Sequence, residues 1–195
     1  MDEKIGIIQA YVKTVLREPG SHGPDHTFRV LRMCERIGRD EGADMNILLP
    51  AALLHDIARP AEKERGIPHE EEGARMAEEF LTSIFFDKDL IPGITQAIRT
   101  HRYRSDRVPE TLEAKILSDA DKLDAMGAIG IARTFLRAGE HGGEITDAAG
   151  HIVEKLLKLK ERMHTESAAR IAVRRHGYLA GFLEELANEM DAAGI

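Results

Sequence analysis

The sequence predicts an all-α fold, a single-domain helical bundle of seven to nine helices. Apolar residues recur at intervals of three and four along nearly the whole chain, and no segment alternates apolar and polar residues over a useful length. The chain has 195 residues, of which 43% are hydrophobic and 31% charged. These values suit one globular domain with its own core. We expect residues 1–195 to form that domain, with a motif-bearing core at about 22–135 and C-terminal helices at about 145–190.

Proline and glycine mark the ends of the first three predicted helices. The first helix should end at Pro19-Gly20, and the second should begin at Pro24 and end at Gly42. The third is predicted from about Met45 to Ala58. Because its apolar residues are dense, it should be the central and most buried helix.

The later segments follow from the same spacing. The predicted order is a charged loop at 61–68, helices at 69–84 and 90–101, a polar loop at 102–109, a helical stretch at 111–136 with a break near Gly127 or Gly130, a glycine-rich loop at 137–143, and helices at 146–163 and 165–190.

Composition excludes several classes of function. The net charge of −7 argues against broad nucleic-acid binding, and 5% aromatic residues without tryptophan argue against base-stacking surfaces. No apolar run approaches the roughly 20 residues that cross a bilayer. The segment Met1–Lys4 lacks the character of a signal peptide. The only cysteine, Cys34, excludes an intrachain disulfide and a cysteine zinc cluster. We therefore expect a cytoplasmic protein with no membrane or nucleic-acid partner.

The pair His55-Asp56 is the strongest local feature. It continues the inward apolar stripe at the C-terminal end of the third predicted helix. A buried carboxylate without a partner is costly. Two solutions remain open on this pair alone: a shared cation, or an ion-paired or capping aspartate beside a core histidine.

Three further polar residues have the same inward phase. His26 precedes Val30 by four residues, Asp121 follows Leu117 by four, and His101 ends the stripe of the fifth predicted helix. Imidazole combined with carboxylate suits Zn, Fe, Mn, Co or Ni. The remaining histidines of the late helices, at 151, 164 and 176, and His141 lack such spacing and are interpreted as surface or packing residues.

The ordered set His26, His55-Asp56 and Asp121 resembles the HD-domain metal-dependent phosphohydrolase superfamily. The matching blocks are HGPDHTFRV at 22–30, AALLHDIA at 51–58 and SDADKLD at 118–124. Residues 125–135 and 154–159 are similar to the stand-alone bacterial and archaeal members, which include nucleotide pyrophosphohydrolases. The resemblance spans most of residues 22–135.

This resemblance implies that His26, His55, Asp56 and Asp121 bind a divalent ion (Mn, Fe, Co, Ni, Zn or Mg) that activates water and polarises a phosphoryl group. Among the catalytic candidates are Asp56, Asp121 and Lys122. His69 and His101 resemble the positions that hold a second ion in dinuclear members, in which case Asp56 could bridge two ions. The alternative for His69 is a solvated residue at a helix start.

The resemblance also implies contacts to a substrate phosphate. The candidates are His22, Arg29, His101 and Lys122. Arg59 and Arg102 also follow expected ligands, but we interpret them as surface cations that pair with carboxylates. Asp124 is a candidate for a supporting or capping role.

The predicted function is therefore metal-dependent hydrolysis of a phosphate compound. The resemblance favours a nucleotide substrate, with cleavage of a nucleoside triphosphate to a monophosphate and pyrophosphate. The alternatives are a phosphomonoesterase, a phosphodiesterase or a non-catalytic HD module that senses metal or nucleotide. A homo-oligomer is compatible with the sequence.

Overall fold

The computed structural model of the chain describes residues 2–17, 23–102 and 107–193. Within these ranges the regular structure is entirely helical. The elements are α1 (Asp2–Val15), α2 (Pro24–Glu41), α3 (Met45–Leu54), α4 (Arg59–Arg65), α5 (His69–Ser83), α6 (Ile91–Thr100), α7 (Leu112–Asp124), α8 (Gly127–Glu140), α9 (Ile145–Glu154), a 3-10 helix (Leu156–Arg162) and α10 (Glu166–Ala193).

The predicted all-α class is confirmed. Nine of the described α-helices have ten residues or more, which is the upper end of the expected seven to nine. The tenth, α4, has seven residues. None of the helices in the described ranges is long and apolar enough to cross a membrane.

The chain divides into two compact units, residues 1–121 and 122–195. In the first unit α3 packs against α1, α2, α5 and α6. Its side chains Leu48, Leu53 and Leu54 are fully buried. At its start the side chain of Asp44 accepts a hydrogen bond from the backbone N–H of Asn46 at 2.8 Å. The prediction that the third helix is central is therefore correct within this unit.

The end of α3 differs from the prediction in a way that shapes the site. The helix stops at Leu54, a turn covers 55–58, and α4 begins at Arg59. Pro60 lies in the first turn of α4, where its missing N–H costs no helical hydrogen bond, so this proline starts a helix instead of following one. The expected loop at 61–68 is thus wrong as far as Arg65, and α4 ends at Gly66, whose φ of 69° is left-handed.

In the second unit α10 packs against α8 and the 3-10 helix, and α9 packs against the same two elements. The predicted break near Gly127 falls between α7 and α8. The glycine-rich loop predicted at 137–143 is wrong in its first half because α8 continues to Glu140. The helix predicted at 146–163 is divided into α9 and the 3-10 helix. Close to the α7–α8 break, Arg133 Nη1 lies 2.6 Å from Asp124 Oδ2, and both side chains are largely buried.

A matched pair of glycines tests the packing of α2 against α3. A Cβ at Gly38 would lie 2.6 Å from Leu48 Cδ2 and 2.9 Å from Met45 Sδ, whereas one at Gly6 would meet nothing within 4 Å. We expect Gly38→Ala to lower the free energy of unfolding by about 1–3 kcal/mol through overpacking. Gly6→Ala, in an exposed part of α1, should raise it by up to about 1 kcal/mol through helix propensity. Urea unfolding of both variants measures this difference, and equal effects would contradict the packing.

Candidate metal centre

Helix ends in the first unit bring Asp56 together with five other ionisable side chains. These come from the start of α2, the turn after α3, the start of α5, the end of α6 and the interior of α7: His26, His55, Asp56, His69, His101 and Asp121. The first five are at most 1% exposed, and the Asp121 side chain is 23% exposed. The helical phases that the sequence predicts for these residues therefore converge on one place.

One oxygen of Asp56 faces the residues of the sequence-predicted quartet. Oδ2 lies 3.5 Å from His26 Nε2 and 3.7 Å from His55 Nε2. His26 Nε2 lies 3.4 Å from Asp121 Oδ1 and 3.4 Å from His55 Nε2. Asp56 Oδ2 is buried and accepts no hydrogen bond from the described residues. A buried charged oxygen in this state calls for a cation.

The other oxygen of Asp56 faces a different set of partners. Oδ1 lies 2.8 Å from Arg59 Nε, which donates a hydrogen bond to it. It also lies 3.4 Å from His69 Nε2 and 3.7 Å from His101 Nε2. The Nε2 atoms of these two histidines are 3.3 Å apart. His69 is fully buried, so the alternative of a solvated residue at a helix start is wrong.

Backbone carbonyls fix the tautomers of two imidazoles. His55 Nδ1 lies 2.8 Å from the carbonyl oxygen of Ala52, and His101 Nδ1 lies 2.6 Å from that of Ile98. A carbonyl oxygen only accepts, so the hydrogen-bond pattern assigns the proton to Nδ1 in both rings. Nε2, the atom that faces Asp56, then carries the lone pair. This is the orientation in which histidine binds a metal ion.

The charge states also suit a metal ion. Burial lowers the pKa of His55 to about 4, so the ring is neutral near pH 7. Burial alone would raise the pKa of Asp56, but the Arg59 guanidinium and the neighbouring histidines outweigh it and hold that pKa well below its usual range. Burial likewise opposes ionisation of Asp121, and its hydrogen bond with His26 lowers the pKa of Asp121 on balance. Neutral imidazoles and ionised carboxylates are the forms that bind divalent ions.

At this centre two sets of three residues each offer ligand atoms that all lie within 4.8 Å of one another. One set is His26, His55 and Asp121, and the other is His55, Asp56 and His101. The oxygen of Asp56 that has no hydrogen-bond partner among the described residues faces His26 and His55, and His55 presents its Nε2 lone pair toward it. Nitrogen and oxygen donors without thiolate suit Mn, Fe, Co, Ni or Zn. The side chains present therefore fit a divalent ion.

A group of charged residues adjoins the Oδ1 side. Glu62 Oε2 lies 3.1 Å from Arg59 Nη1 and 3.0 Å from His69 Nδ1. Arg102 Nη1 lies 3.0 Å from both Glu62 Oε1 and Glu70 Oε2. The interpretation of Arg59 and Arg102 as cations paired with carboxylates is correct, but Arg59 is not an ordinary surface residue because it contacts Asp56.

Sequence reasoning missed Glu62 and the structural use of Glu70. Glu62 was missed because it lies in the segment expected to be a loop. Its signal was the spacing of Asp56, Arg59 and Glu62, which follow one another at intervals of three residues and therefore lie on one side of a helical turn. Glu70 looked like an ordinary acidic residue of a helix start. Nothing short of the tertiary contact to Arg102 distinguishes it.

Comparison with known proteins identifies the family. Residues 24–126 match the HD domain. The chain belongs to the HD domain family. It is 33% identical to YpgQ of Bacillus subtilis (strain 168), over 96% of this chain and 93% of YpgQ. The resemblance inferred from the ordered His and Asp blocks is thereby confirmed.

Solved structures of the HD family agree with the fold. The crystal structure of B. subtilis YpgQ matches with a TM-score of 0.82 and 29% identity, over 96% of each chain. YpgQ in complex with ADP matches with a TM-score of 0.80 and 28% identity, over 96% of this chain and 95% of YpgQ. An HD-superfamily hydrolase from Bacillus thuringiensis matches with a TM-score of 0.80 and 34% identity, over 98% of each chain. The expected HD-type helical fold is confirmed, and the likeness supports a hydrolase class.

The remaining candidates of this HD chain are less well defined. His22 lies outside the described residues. Arg29 lies on α2 one turn after His26 and is half-buried. Lys122 is 5% exposed and is the first residue of the second unit, and Asp124 pairs with Arg133 within that unit. The substrate contacts expected of His22, Arg29, His101 and Lys122 stay predictions.

The buried neutral state of His55 predicts acid lability of the metal-free protein. Between pH 6.5 and about 4 the unfolded chain binds a proton at His55 and the folded chain does not. The free energy of unfolding should therefore fall as pH falls through this window, by about 3 kcal/mol from this residue if the shift is fully expressed. The lowered pKa of His69 acts in the same direction within this window, and the lowered pKa values of Asp56, Glu62 and Asp121 add to the loss below about pH 5.

Urea unfolding of the EDTA-treated protein at pH 7, 6, 5 and 4.5 measures this slope. His55→Gln, which cannot titrate, should reduce this slope, and His141→Gln at an exposed position should leave it unchanged. An unaltered slope in His55→Gln would contradict the buried neutral state.

Proposed function

We propose that this HD-family chain is a divalent-metal-dependent phosphohydrolase that acts on nucleotides. The observation that carries the proposal is the buried Oδ2 atom of Asp56, which has no hydrogen-bond partner among the described residues and lies beside the imidazoles of His26 and His55. The same imidazole of His26 also lies beside the carboxylate of Asp121. Such a site is costly unless a cation completes it. The ligand set that we propose is therefore His26, His55, Asp56 and Asp121, with His69 and His101 on the opposite side of the same carboxylate.

A divalent ion held there supplies Lewis acidity toward a phosphate oxygen and toward water. The chain's own residues provide the remaining requirements. The backbone carbonyls of Ala52 and Ile98 accept hydrogen bonds from Nδ1 of His55 and His101. The Nε2 lone pairs of these rings therefore point inward, and the ligands need little reorganisation to bind. Asp121 is the most exposed of the six side chains and is the one that substrate water would reach. We assign it the role of orienting that water.

The nucleotide substrate is supported by a relative and by the resemblance of the motifs. YpgQ, which matches along 96% of this chain, has been crystallised with ADP. Hydrolysis of a nucleoside triphosphate at the α-phosphorus would place the water oxygen on that phosphorus and release pyrophosphate with a nucleoside monophosphate. In this proposal Arg29, one turn after His26 on α2, contacts the phosphates.

Product analysis tests the proposal directly. The purified protein, stripped with EDTA and reloaded separately with Mn²⁺, Co²⁺, Zn²⁺ and Mg²⁺, is incubated with nucleoside triphosphates, monophosphates, cyclic nucleotides and dinucleoside polyphosphates. We expect metal-dependent release of pyrophosphate and a nucleoside monophosphate. Orthophosphate alone would indicate a phosphomonoesterase, and opening of cyclic nucleotides would indicate a phosphodiesterase. Bound metal without turnover of any compound would support the sensor module and contradict the enzyme.

Substitution of the central pair is the matching mutational prediction. His55→Ala and Asp56→Ala should each remove bound metal and lower kcat/KM on the order of 1000-fold, because several kcal/mol of transition-state stabilisation depend on the ion. Metal content by mass spectrometry and steady-state kinetics measure both effects, and circular dichroism checks that the helices persist. The control His141→Ala alters an exposed histidine outside the six and should keep metal and activity. Full activity in the His55/Asp56 double variant would contradict the site.

A further inference from the structure

The two oxygens of Asp56 differ in how their charge is compensated. Oδ2 faces His26 and His55 and has no hydrogen-bond partner among the described residues. Oδ1 is already bonded to the Nε–H of Arg59 at 2.8 Å. Both oxygens face pairs of imidazoles, so the number of nearby histidines does not separate the two sides. The two sides differ because the guanidinium of Arg59 is bonded to Oδ1.

Two carboxylates fix the position of the Arg59 guanidinium. Its Nε bonds to Asp56, three residues earlier, and its Nη1 lies 3.1 Å from Glu62 Oε2, three residues later. Glu62 is itself fixed by Arg102 through its other oxygen at 3.0 Å. The Arg59 side chain is 24% exposed and that of Asp56 is fully buried. An arginine that bonds to two carboxylates in a partly buried position is well ordered and cannot lose its charge.

The charge on the two sides is therefore unequal. On the Oδ2 side, Asp56 and Asp121 lie on either side of His26 and together supply two negative charges. On the Oδ1 side the shared carboxylate already compensates a guanidinium. The two carboxylates beside His69 are also paired: Glu62 with Arg59 and Arg102, and Glu70 with Arg102. A divalent ion beside His69 and His101, which are fully buried, would be repelled by Arg59 at short range.

We propose that Arg59 takes the place of a second cation at Asp56 Oδ1, so that this centre binds one divalent ion at its Oδ2 side and not two. The inference rests on the proposed function only in requiring that the chain binds a divalent ion, and hydrolysis is not part of it. In this arrangement His69 and His101, whose Nε2 atoms are 3.3 Å apart, do not ligate metal.

Metal stoichiometry without substrate tests this inference. The EDTA-treated protein is titrated with Mn²⁺ and measured by calorimetry and by mass spectrometry of the desalted complex, with electron paramagnetic resonance to detect coupling between neighbouring ions. We expect one Mn²⁺ per chain and no coupling in the unaltered protein. Arg59→Met removes the guanidinium and keeps much of the stem, and it should bind two Mn²⁺ with a coupled spectrum. Arg65→Met, on the same helix but paired with Glu72 at an exposed position, should still bind one.

Substitution of His69 separates the two sides independently of Arg59. In the otherwise unaltered protein, His69→Ala should change the Mn²⁺ dissociation constant by less than about threefold. In the Arg59→Met background it should return the stoichiometry from two to one. If Arg59→Met fails to fold, the His69→Ala variant decides alone, since a loss of metal affinity of tenfold or more would overturn the inference.

The outcomes distinguish this inference from the proposed function. Two ions in the unaltered protein, or one ion in a folded Arg59→Met variant, would overturn the role of Arg59 and leave the phosphohydrolase proposal intact. One ion with no phosphohydrolase activity would overturn the proposed function and leave the role of Arg59 intact. No bound ion at all would overturn both.

Discussion

The buried carboxylate of Asp56 is the constraint on which the first unit depends. An ionised group with no exposed surface must have its charge compensated, and the surrounding elements do this on two sides. On one side Arg59 and the short helix α4 supply a fixed guanidinium. On the other side His26, His55 and Asp121 surround an oxygen that has no hydrogen-bond partner in the described ranges. The helix that carries Asp56 into the core is also the central packing element of the unit.

The need to compensate the buried charge of Asp56 explains several local features of the sequence. α3 is apolar on nearly all sides, so it packs into the core along its length and places the turn that follows it there as well. His55 and His101 directly follow the C-terminal ends of α3 and α6, where backbone carbonyls are free to accept their Nδ1 hydrogens. A helix interior would have used those carbonyls in its own hydrogen bonds. The ends of helices are therefore suitable places for oriented imidazoles.

Much of the fold and of the centre could be predicted from the sequence because both depend on helical phase. His26, His55, Asp56 and Asp121 continue apolar stripes, and the structure brings them together; their binding of metal stays a prediction. The seven-residue α4 could not be predicted, since it is too short to show a period and contains no buried residues. Glu62 and the role of Arg59 were lost with it. The burial of His69 was also ambiguous, because a position at a helix start is equally compatible with solvent.

The most direct test of the central claim is anomalous diffraction from crystals grown with Mn²⁺, recorded on both sides of the manganese absorption edge. The account predicts a single strong anomalous peak in the core of the first unit, bounded by His26, His55, Asp121 and the Oδ2 atom of Asp56. A peak among Glu62, His69 and Glu70, the third group whose ligand atoms lie within 4.8 Å of one another, would contradict it. So would the absence of any anomalous peak within the first unit at saturating Mn²⁺.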